Sequence, residues 1–421
     1  MGRYEIDDGI ALLRRAADLE PDPSRQGELW YEIGHANALK YDGEAFVAAM
    51  ERALQLGAPK GEVYAELAHQ TVHRAGMWQR RLDDSLIEGW IEAAMAHTTE
   101  GTPARVRALA ANGIWHEDIE AARAALTLAD SLGNSELRSD GMAALQSALE
   151  DHSRYLEASD VAAARLDLLP AIADPDHVAN ALFMNAELYG NLGRLADARA
   201  MTERLEETVA SLTPHHRVHG LAIRLTLENA VGDWEAVRDL THRTTEAVEA
   251  NLATPCPFNV ALLLTLAAGW AVAGDQAECG RLIARAEGIG MVGYGRMHAP
   301  HRLVLGLARH DHDEIRRVVE SLEPSWLTPT PLGLFGWLLW ANLFDALAEL
   351  DDRDRIEAEA PQWLRPDAYV APFAVRALGI ARRDATLLAD AVARFEMMGL
   401  ERHAQTTRAR LERLSIERPA D

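Results

Sequence analysis

A helical hairpin between His177 and Leu212 is the feature that most restricts the fold of this chain. The stretch reads HVANALFMNAELYGNLGRLADARAMTERLEETVASL, and apolar or small side chains recur at three- and four-residue steps on both sides of Gly193. Such spacing places them on one face of an α-helix. Gly193 stands where the first helix ends and the chain reverses, a position that favours a residue tolerant of positive φ. Because a lone hairpin cannot bury its apolar faces, the stretch predicts further hairpins stacked on it.

The same turn recurs downstream at Gly232-Asp233 and Gly274-Asp275. In each case the helix after the turn carries a small residue that lets two helix backbones approach closely; these residues are Ala198, Ala236 and Ala277. Three recurrences at near-constant spacing predict a repeat array rather than several globular domains. In the predicted array the sixth pair joins 218–231 to 234–251, the ninth joins 331–350 to 353–363, and a last helix over 401–414 caps the end.

The N-terminal region matches the tetratricopeptide pattern, in which a large aromatic residue precedes a Leu-Gly type of pair. The matching residues are Trp30, Ile33, Gly34, Ala53 and Leu54. No window alternates with the period of a β-strand, so essentially no sheet is expected. The predicted fold class is therefore all-α, a right-handed α-solenoid of about ten helical hairpins forming a tetratricopeptide-like superhelix. A break at 170–175 divides it into residues 1–170 and 171–421, continuous with each other.

Composition excludes several partners. The chain has 65 acidic and 42 basic residues and a formal net charge of −23, which disfavours direct binding to nucleic acid. The uncharged stretch from Phe258 to Gly274 is shorter than the roughly 20 residues of a membrane span, and a buried repeat helix is expected there instead. Two cysteines make no disulfide framework, and the N-terminus lacks a signal-peptide pattern, so a cytoplasmic location is expected.

The sequence predicts no catalytic residue, no metal site and no cofactor. Residues 288–293 spell G-x-G-x-x-G, but they follow a predicted helix instead of a strand, which indicates a flexible loop between repeats. Glu66, His69 and His73 share a helix, yet a bundle metal site needs ligands from several helices, and zinc-type spacing of cysteine and histidine is missing. Cys256 and Cys279 are interpreted as buried free thiols.

Two end segments resemble the tetratricopeptide-like C-terminal region of bacterial STAND-type ATPase signalling proteins, which are attached to LuxR-type regulators or class III cyclases. The segments are ALLRRAADLEPDPSRQGELWYEIGHANAL near the start and RALGIARRDATLLADAVARFEMMGLERHAQTTRARLERL near the end. The resemblance implies a helical sensor or scaffold region in signalling or transcriptional regulation. The ATPase, cyclase and helix-turn-helix modules of those proteins have no counterpart in this sequence.

The leading functional hypothesis is a non-catalytic scaffold that binds a protein segment or a small inducer in its concave groove. Polar residues on the first helix of each pair would line that groove: Tyr31, His35, Glu66, Gln70, His73, Arg74, Asn180, Glu187, Asn191, Thr226 and Asn229. One alternative is an enzyme with Glu66 and His73 as acid–base groups inside the superhelix. Another is an oligomerisation module that docks a partner or a second copy through an apolar face at Trp337 and Trp340.

The array is also expected to be unevenly stable. The eighth pair, 298–309 with 312–322, is short and follows the glycine-rich loop. We predict that it opens before the regular central repeats.

Overall fold

The computed structural model describes residues 6–322, 335–365 and 368–417. Within them the chain folds into ten helical hairpins, preceded by α1 (Ile6–Leu19) and followed by α23 (Glu401–Glu417). The hairpins are α2 (Pro23–Leu39) with α3 (Gly43–Gln55), α4 (Lys60–His73) with α5 (Asp84–His97), α6 (Pro103–Trp115) with α7 (Ile119–Leu132), α8 (Ser135–Asp151) with α9 (Tyr155–Leu168), α10 (Pro175–Asn191) with α11 (Leu195–Val209), α12 (Pro214–Val231) with α13 (Trp234–Asp239) and α14 (Thr241–Ala250), α15 (Pro257–Val272) with α16 (Gln276–Gly288), α17 (Gly295–Arg309) with α18 (His312–Ser321), α19 (Gly336–Glu349) with α20 (Arg353–Glu359), and α21 (Ala371–Ala381) with α22 (Ala385–Met397). Short 3-10 helices cover Leu169–Ala171 and Ala360–Trp363. This is the all-α solenoid that the sequence predicts.

Turn chemistry explains why the hairpins begin and end where they do. Gly193, Gly232 and Gly274 all have positive φ, as their turns require. Aspartate side chains cap the following helices in several repeats: Asp233 accepts a hydrogen bond from the Ala236 amide at 3.0 Å, and equivalent caps are formed by Asp42, Asp118, Asp275, Asp311, Asp352 and Asp384. Turn glycines and capping aspartates, which act within a few residues, therefore mark the hairpin boundaries.

The first helices of successive hairpins pack against one another and form an inner layer. Each first helix contacts the next one in the order α4, α6, α8, α10, α12, α15, α17, α19 and α21. The second helices lie outside this layer and bury one side only; α16, for example, buries Cys279, Leu282 and Ala286. Helix α15 is buried along almost its whole length, as the sequence predicts for the uncharged stretch. None of the described helices combines the length and apolar character needed to cross a bilayer.

Contacts between distant repeats close the superhelix on itself. The backbone of Val292 exchanges hydrogen bonds with Gln79 (2.9 Å) and Arg81 (3.0 Å), which forms an isolated β-bridge between 80 and 292. The Tyr294 hydroxyl donates to the carbonyl oxygen of Trp78 at 2.8 Å. The loop predicted between repeats is therefore present after α16, but these hydrogen bonds hold it against the second repeat instead of leaving it flexible.

Two predicted elements differ in detail. The helix expected over 234–251 is divided at Leu240 into α13 and α14. The ninth pair begins with α19 at Gly336, and the predicted start at Pro331 lies outside the described residues. Apart from the bridge at 80 and 292, the described segments contain no strand.

Candidate functional site: the polar inner layer

A buried carboxylate on α4 organises the polar groups at the N-terminal end of the inner layer. Glu66 is fully buried, and its oxygens accept hydrogen bonds from Gln70 Nε2 at 2.8 Å and Tyr31 OH at 3.3 Å. His35 Nδ1 lies 2.7 Å from Oε1, and Arg107 Nε lies 3.6 Å from Oε2. These partners come from α2, α4 and α6, so one carboxylate joins three consecutive first helices.

The charges of this group stabilise each other. Burial alone would raise the pKa of Glu66, but Arg107 and His35 outweigh it and hold that pKa well below its ordinary value. Burial lowers the pKa of His35, but the neighbouring Glu66 raises it by a larger amount, so the net shift is upward. Each group therefore favours the charged form of the other.

A second ionic group links the C-terminal end of α4 to α10 and α12, which lie three and four repeats away. Arg74 donates to Gln70 and to Asp176 of α10. The other oxygen of Asp176 lies 2.7 Å from His216 Nε2 of α12, and His216 Nδ1 lies 2.7 Å from the Thr213 hydroxyl. Burial raises the pKa of Asp176, and Arg74 together with His216 lowers it to a net value far below normal. This bridge fixes α4 against the middle of the superhelix.

Arg165 is buried behind the inner layer, with its guanidinium directed at inner-helix side chains. Nε donates to the Ser139 hydroxyl at 2.9 Å, and Nη2 donates to Asn180 Oδ1 at 2.7 Å. Nearby, Asp140 lies 3.4 Å from His177 Nδ1 and 3.6 Å from His69 Nε2. Arg165, which belongs to α9, the second helix of the fourth hairpin, thus contributes a charge to the layer of first helices.

A group of carboxyls on α8 and α10 has raised pKa values, in contrast to the lowered pKa values of Glu66 and Asp176. Burial raises the pKa of Glu150 to about 7 and that of Glu187 to about 8. Burial, with Glu150 as a neighbour, raises the pKa of Asp151 to about 9. Glu150 accepts from Gln146 Nε2 at 2.8 Å, and Glu187 accepts from the Phe335 amide at 2.8 Å. These groups therefore keep their protons to a higher pH than exposed carboxyls do.

The predicted groove residues fall into connected and separate sets. Tyr31, His35, Glu66 and Gln70 meet directly, and Gln70 continues the chain of contacts to Arg74. The others lie along the same layer without joining that group. His73 packs on the His69 ring with centroids 4.2 Å apart, Asn180 binds Arg165, and Glu187 binds the Phe335 amide. The Asn191 carbonyl accepts from the Tyr369 amide at 3.0 Å, and Thr226 and Asn229 are buried on α12.

The predicted docking face at Trp337 and Trp340 is not on the surface, so that prediction is wrong. The two side chains are 4% and 3% exposed. Trp337 covers Gly190 and meets the Tyr369 ring edge-on at 4.7 Å, while Trp340 packs on Trp363 at 4.7 Å. The apolar run that suggested a docking face is instead used to pack the ninth hairpin against the fifth.

Several functional side chains escape a reading of the sequence. Arg107, Asp140, Arg165, Asp176 and His216 all take part in the buried polar groups, and none lies in a recognisable motif. His219 also lies beside Cys256, with Nε2 and Sγ 3.9 Å apart, although 37 residues separate them in sequence. An acidic or basic residue on the apolar side of a repeat helix is the one signal that could have marked Arg165 and Asp176.

Neither a protein-family model nor a curated protein sequence matches the chain. Among solved structures, a Rap protein complexed with competence and sporulation factor is 13% identical with a TM-score of 0.42, over 94% of this chain and 98% of that one. Yeast Tom70 is 12% identical with a TM-score of 0.39, over 98% of this chain and 93% of that one. The pentatricopeptide repeat protein PPR10 from maize is 14% identical with a TM-score of 0.26, over 99% of this chain and 67% of that one. At these low values the matches indicate neither a ligand nor an activity for this chain.

Proposed function

We propose that the chain is a non-catalytic recognition scaffold that binds a protein segment or a small inducer against its polar inner layer. The observation that carries the proposal is a row of partly exposed polar side chains along one face of α10, formed by His177, Glu187 and Asn191. Polar groups on a groove surface that still reach solvent can exchange water for a ligand that pairs them.

An extended peptide suits these groups. Carboxamides both donate and accept, which matches the alternating donors and acceptors of a peptide backbone. Neighbouring helices pack about 8–10 Å apart, so α8 to α12 span about 20 Å, which is the length of roughly six extended residues. Asn180 adds to the set, because its Oδ1 already accepts from Arg165 and its amide N–H groups are left to donate.

The geometry does not favour the enzyme alternative built on Glu66 and His73. An acid–base pair needs two groups within hydrogen-bond reach of a common substrate atom. Glu66 is surrounded by its four partners and is held ionised, and His73 Nε2 has no partner. Burial, with Arg74 adding to it, lowers the pKa of His73 to about 3, so this imidazole is neutral at physiological pH.

The proposal also includes a setting in bacterial signalling or transcriptional regulation. Its support is the resemblance of the two end segments to the scaffold region of STAND-type signalling proteins. The division at residue 170 and the cytoplasmic location stay predictions. An oligomerisation module would require a surface other than Trp337 and Trp340.

A peptide selection tests this function. Random peptides displayed on phage are selected on the full chain, and an enriched peptide is synthesised with a fluorophore for anisotropy titration. The double variant His177→Ala/Asn180→Ala changes two half-exposed groups of α10, and Glu203→Ala/Glu207→Ala is a matched control on the exposed side of α11. We expect saturable binding that the first variant weakens about tenfold or more and the control leaves unchanged. Failure to enrich any peptide, or equal binding by both variants, would contradict the proposal.

A further inference from the structure

Two histidines and a cysteine converge where α12 begins beside the N-terminus of α15. His215 and His219 occupy the first turns of α12 at positions i and i+4, which share one face of a helix. Cys256 is the N-cap of α15. One ligand-type atom from each of the three residues can be chosen so that all lie within 4.8 Å of one another, and His219 Nε2 is 3.9 Å from Cys256 Sγ.

We propose that these three residues form a zinc site, with His215 and His219 as nitrogen ligands and Cys256 as the sulfur ligand. Zinc prefers nitrogen and sulfur donors in tetrahedral geometry. Zn–N and Zn–S bonds of about 2.1 and 2.3 Å place two such ligands about 3.6 Å apart. The observed separations exceed that value by about an ångström at most, which small side-chain rotations can close. Three protein ligands leave a fourth position for a solvent molecule.

His215 provides an independent reason to expect a bound ion. It is 1% exposed, and at most one of its two ring nitrogens is reached by a polar group, the backbone of Thr254. A buried imidazole nitrogen without a partner is costly unless a ligand pairs it. The neighbouring His216 is different, because both of its ring nitrogens face partners, Asp176 and Thr213. His216 therefore belongs to the ionic bridge, and His215 is left for the ion.

Backbone amides face the Cys256 sulfur. They belong to Phe258 and Asn259 at the start of α15, where helix amides stabilise negative charge, and they oppose the burial that otherwise disfavours a thiolate. On binding, Zn²⁺ takes the sulfur lone pair as the Cys256 thiol releases its proton to solvent, and no oxidation is involved.

Aromatic rings enclose the three ligands. Tyr41 stacks on His215 with centroids 3.6 Å apart, and Phe258 and Phe183 contact His219 at 4.7 and 5.8 Å. An apolar shell fixes ligand orientation and excludes water from a metal centre. The zinc site would therefore tie α12 to α15 and, through Tyr41, to the first hairpin. It lies beside the inner layer but does not depend on peptide binding there.

Metal analysis of the full chain tests the proposal. The protein is incubated with ZnCl₂, desalted and measured by inductively coupled plasma mass spectrometry. We expect one zinc per chain in the wild type and near-complete loss in Cys256→Ser and His219→Gln. Cys279→Ser and His301→Gln are matched controls, because both residues are buried but belong to no such cluster among the described residues. Both controls should keep the zinc.

A second measurement keeps the proposal falsifiable if the ligand variants fail to fold. Cobalt(II) is titrated into the metal-free wild-type chain, and a cobalt–thiolate charge-transfer band with tetrahedral d–d transitions is expected. Absence of that band, substoichiometric zinc in the wild type, or zinc retained by a folded Cys256→Ser variant would overturn the site.

Discussion

The hydroxyl of Tyr369 donates a hydrogen bond to the carbonyl oxygen of Ala230, 2.7 Å away and 139 residues earlier in the chain. His403 Nε2 faces the same carbonyl at 3.0 Å. Ala230 lies in the last turn of α12, where carbonyl groups lack partners within the helix. Two side chains from the C-terminal part of the chain therefore pair a carbonyl group at the end of α12. This contact joins distant repeats and does not recur from one repeat to the next.

Removal of this closing hydrogen bond should weaken the molecule measurably. In Tyr369→Phe the ring contacts with Trp337 and Phe373 remain, and only the hydroxyl is lost. We expect the free energy of unfolding to fall by about 1 kcal/mol, since His403 still faces the carbonyl. Urea denaturation followed by circular dichroism measures the difference. The control Tyr64→Phe retains the ring that stacks on His97 and should change stability less; equal effects would contradict the assigned role of the Tyr369 hydroxyl.

The sequence predicts the hairpins well because their determinants are local. Apolar spacing and the turns at Gly193 and Gly232 act within a few residues, and the structure has them as expected. The aspartate caps, which the structure adds, act over the same short range. The closure of the superhelix depends instead on surfaces far apart in sequence. Nothing around Trp337 indicates that Gly190 leaves room for its ring, so the same apolar run suggested an exposed docking face.

The ion pair between His35 and Glu66 should give the stability a distinct pH dependence. The pKa of Glu66 is lowered, so its contribution is present above about pH 4.5 and is lost as the pH falls through its folded value. The pKa of His35 is raised, so its contribution is present below about pH 6.5 and is lost as the pH rises through its folded value. The pair therefore stabilises most between these two limits.

The variant His35→Gln isolates this effect. We expect the wild type to exceed the variant in free energy of unfolding most strongly near about pH 5.5 and by a shrinking margin in mildly alkaline buffer. Denaturant titrations at several pH values give the two curves. A difference that grows steadily with pH would show that His35 is not charged in the folded protein.

Glu187 should make the protein less stable as the pH rises, whereas Glu66 makes it less stable as the pH falls. Burial raises its pKa to about 8, so the folded chain keeps a proton that the unfolded chain releases above about pH 4.5. Stability is then lost as the pH rises between these values, by up to about 1.4 kcal/mol per pH unit. Glu187→Gln keeps an acceptor for the Phe335 amide and removes the titration.

We therefore expect Glu187→Gln to match the wild type near about pH 5 and to be more stable, by on the order of 1–3 kcal/mol, near about pH 8. Thermal unfolding at the two pH values measures this. Glu203→Gln on the exposed side of α11 is the matched control and should show no such pH effect. A variant less stable than the wild type at the higher pH would mean that Glu187 is ionised in the folded chain.

The polar inner layer is only half visible in the sequence. Tyr31, His35, Glu66 and Gln70 could be assigned to one surface because they lie on the first helices of adjacent repeats. Arg165 could not, since it comes from a second helix and reaches the layer only through the packing of α9 on α8 and α10. The convergence of His215, His219 and Cys256 likewise follows from packing between hairpins, and no linear spacing encodes it.

The eighth hairpin is expected to open unevenly instead of as one unit. The sequence alone predicts that the whole pair is the weakest part of the array. In the structure α17 buries eight residues between α15 and α19, and its N-terminus is tied to the second repeat through Tyr294. Helix α18 buries only Ile315, Val318 and Val319. Local stability follows buried apolar contact, so α18 should open first and α17 should stay closed.

Hydrogen exchange read by mass spectrometry distinguishes the two expectations. Amides of α18 should exchange well before those of α17, which should be as slow as those of α10 and α11. Tyr294→Phe removes the hydrogen bond to Trp78, and we expect it to speed exchange at the start of α17 while leaving α18 unchanged; Tyr64→Phe again serves as control. Joint early exchange of both helices would support the sequence-based prediction and contradict the anchoring role of Tyr294. Equally slow exchange of both helices would contradict the two predictions alike.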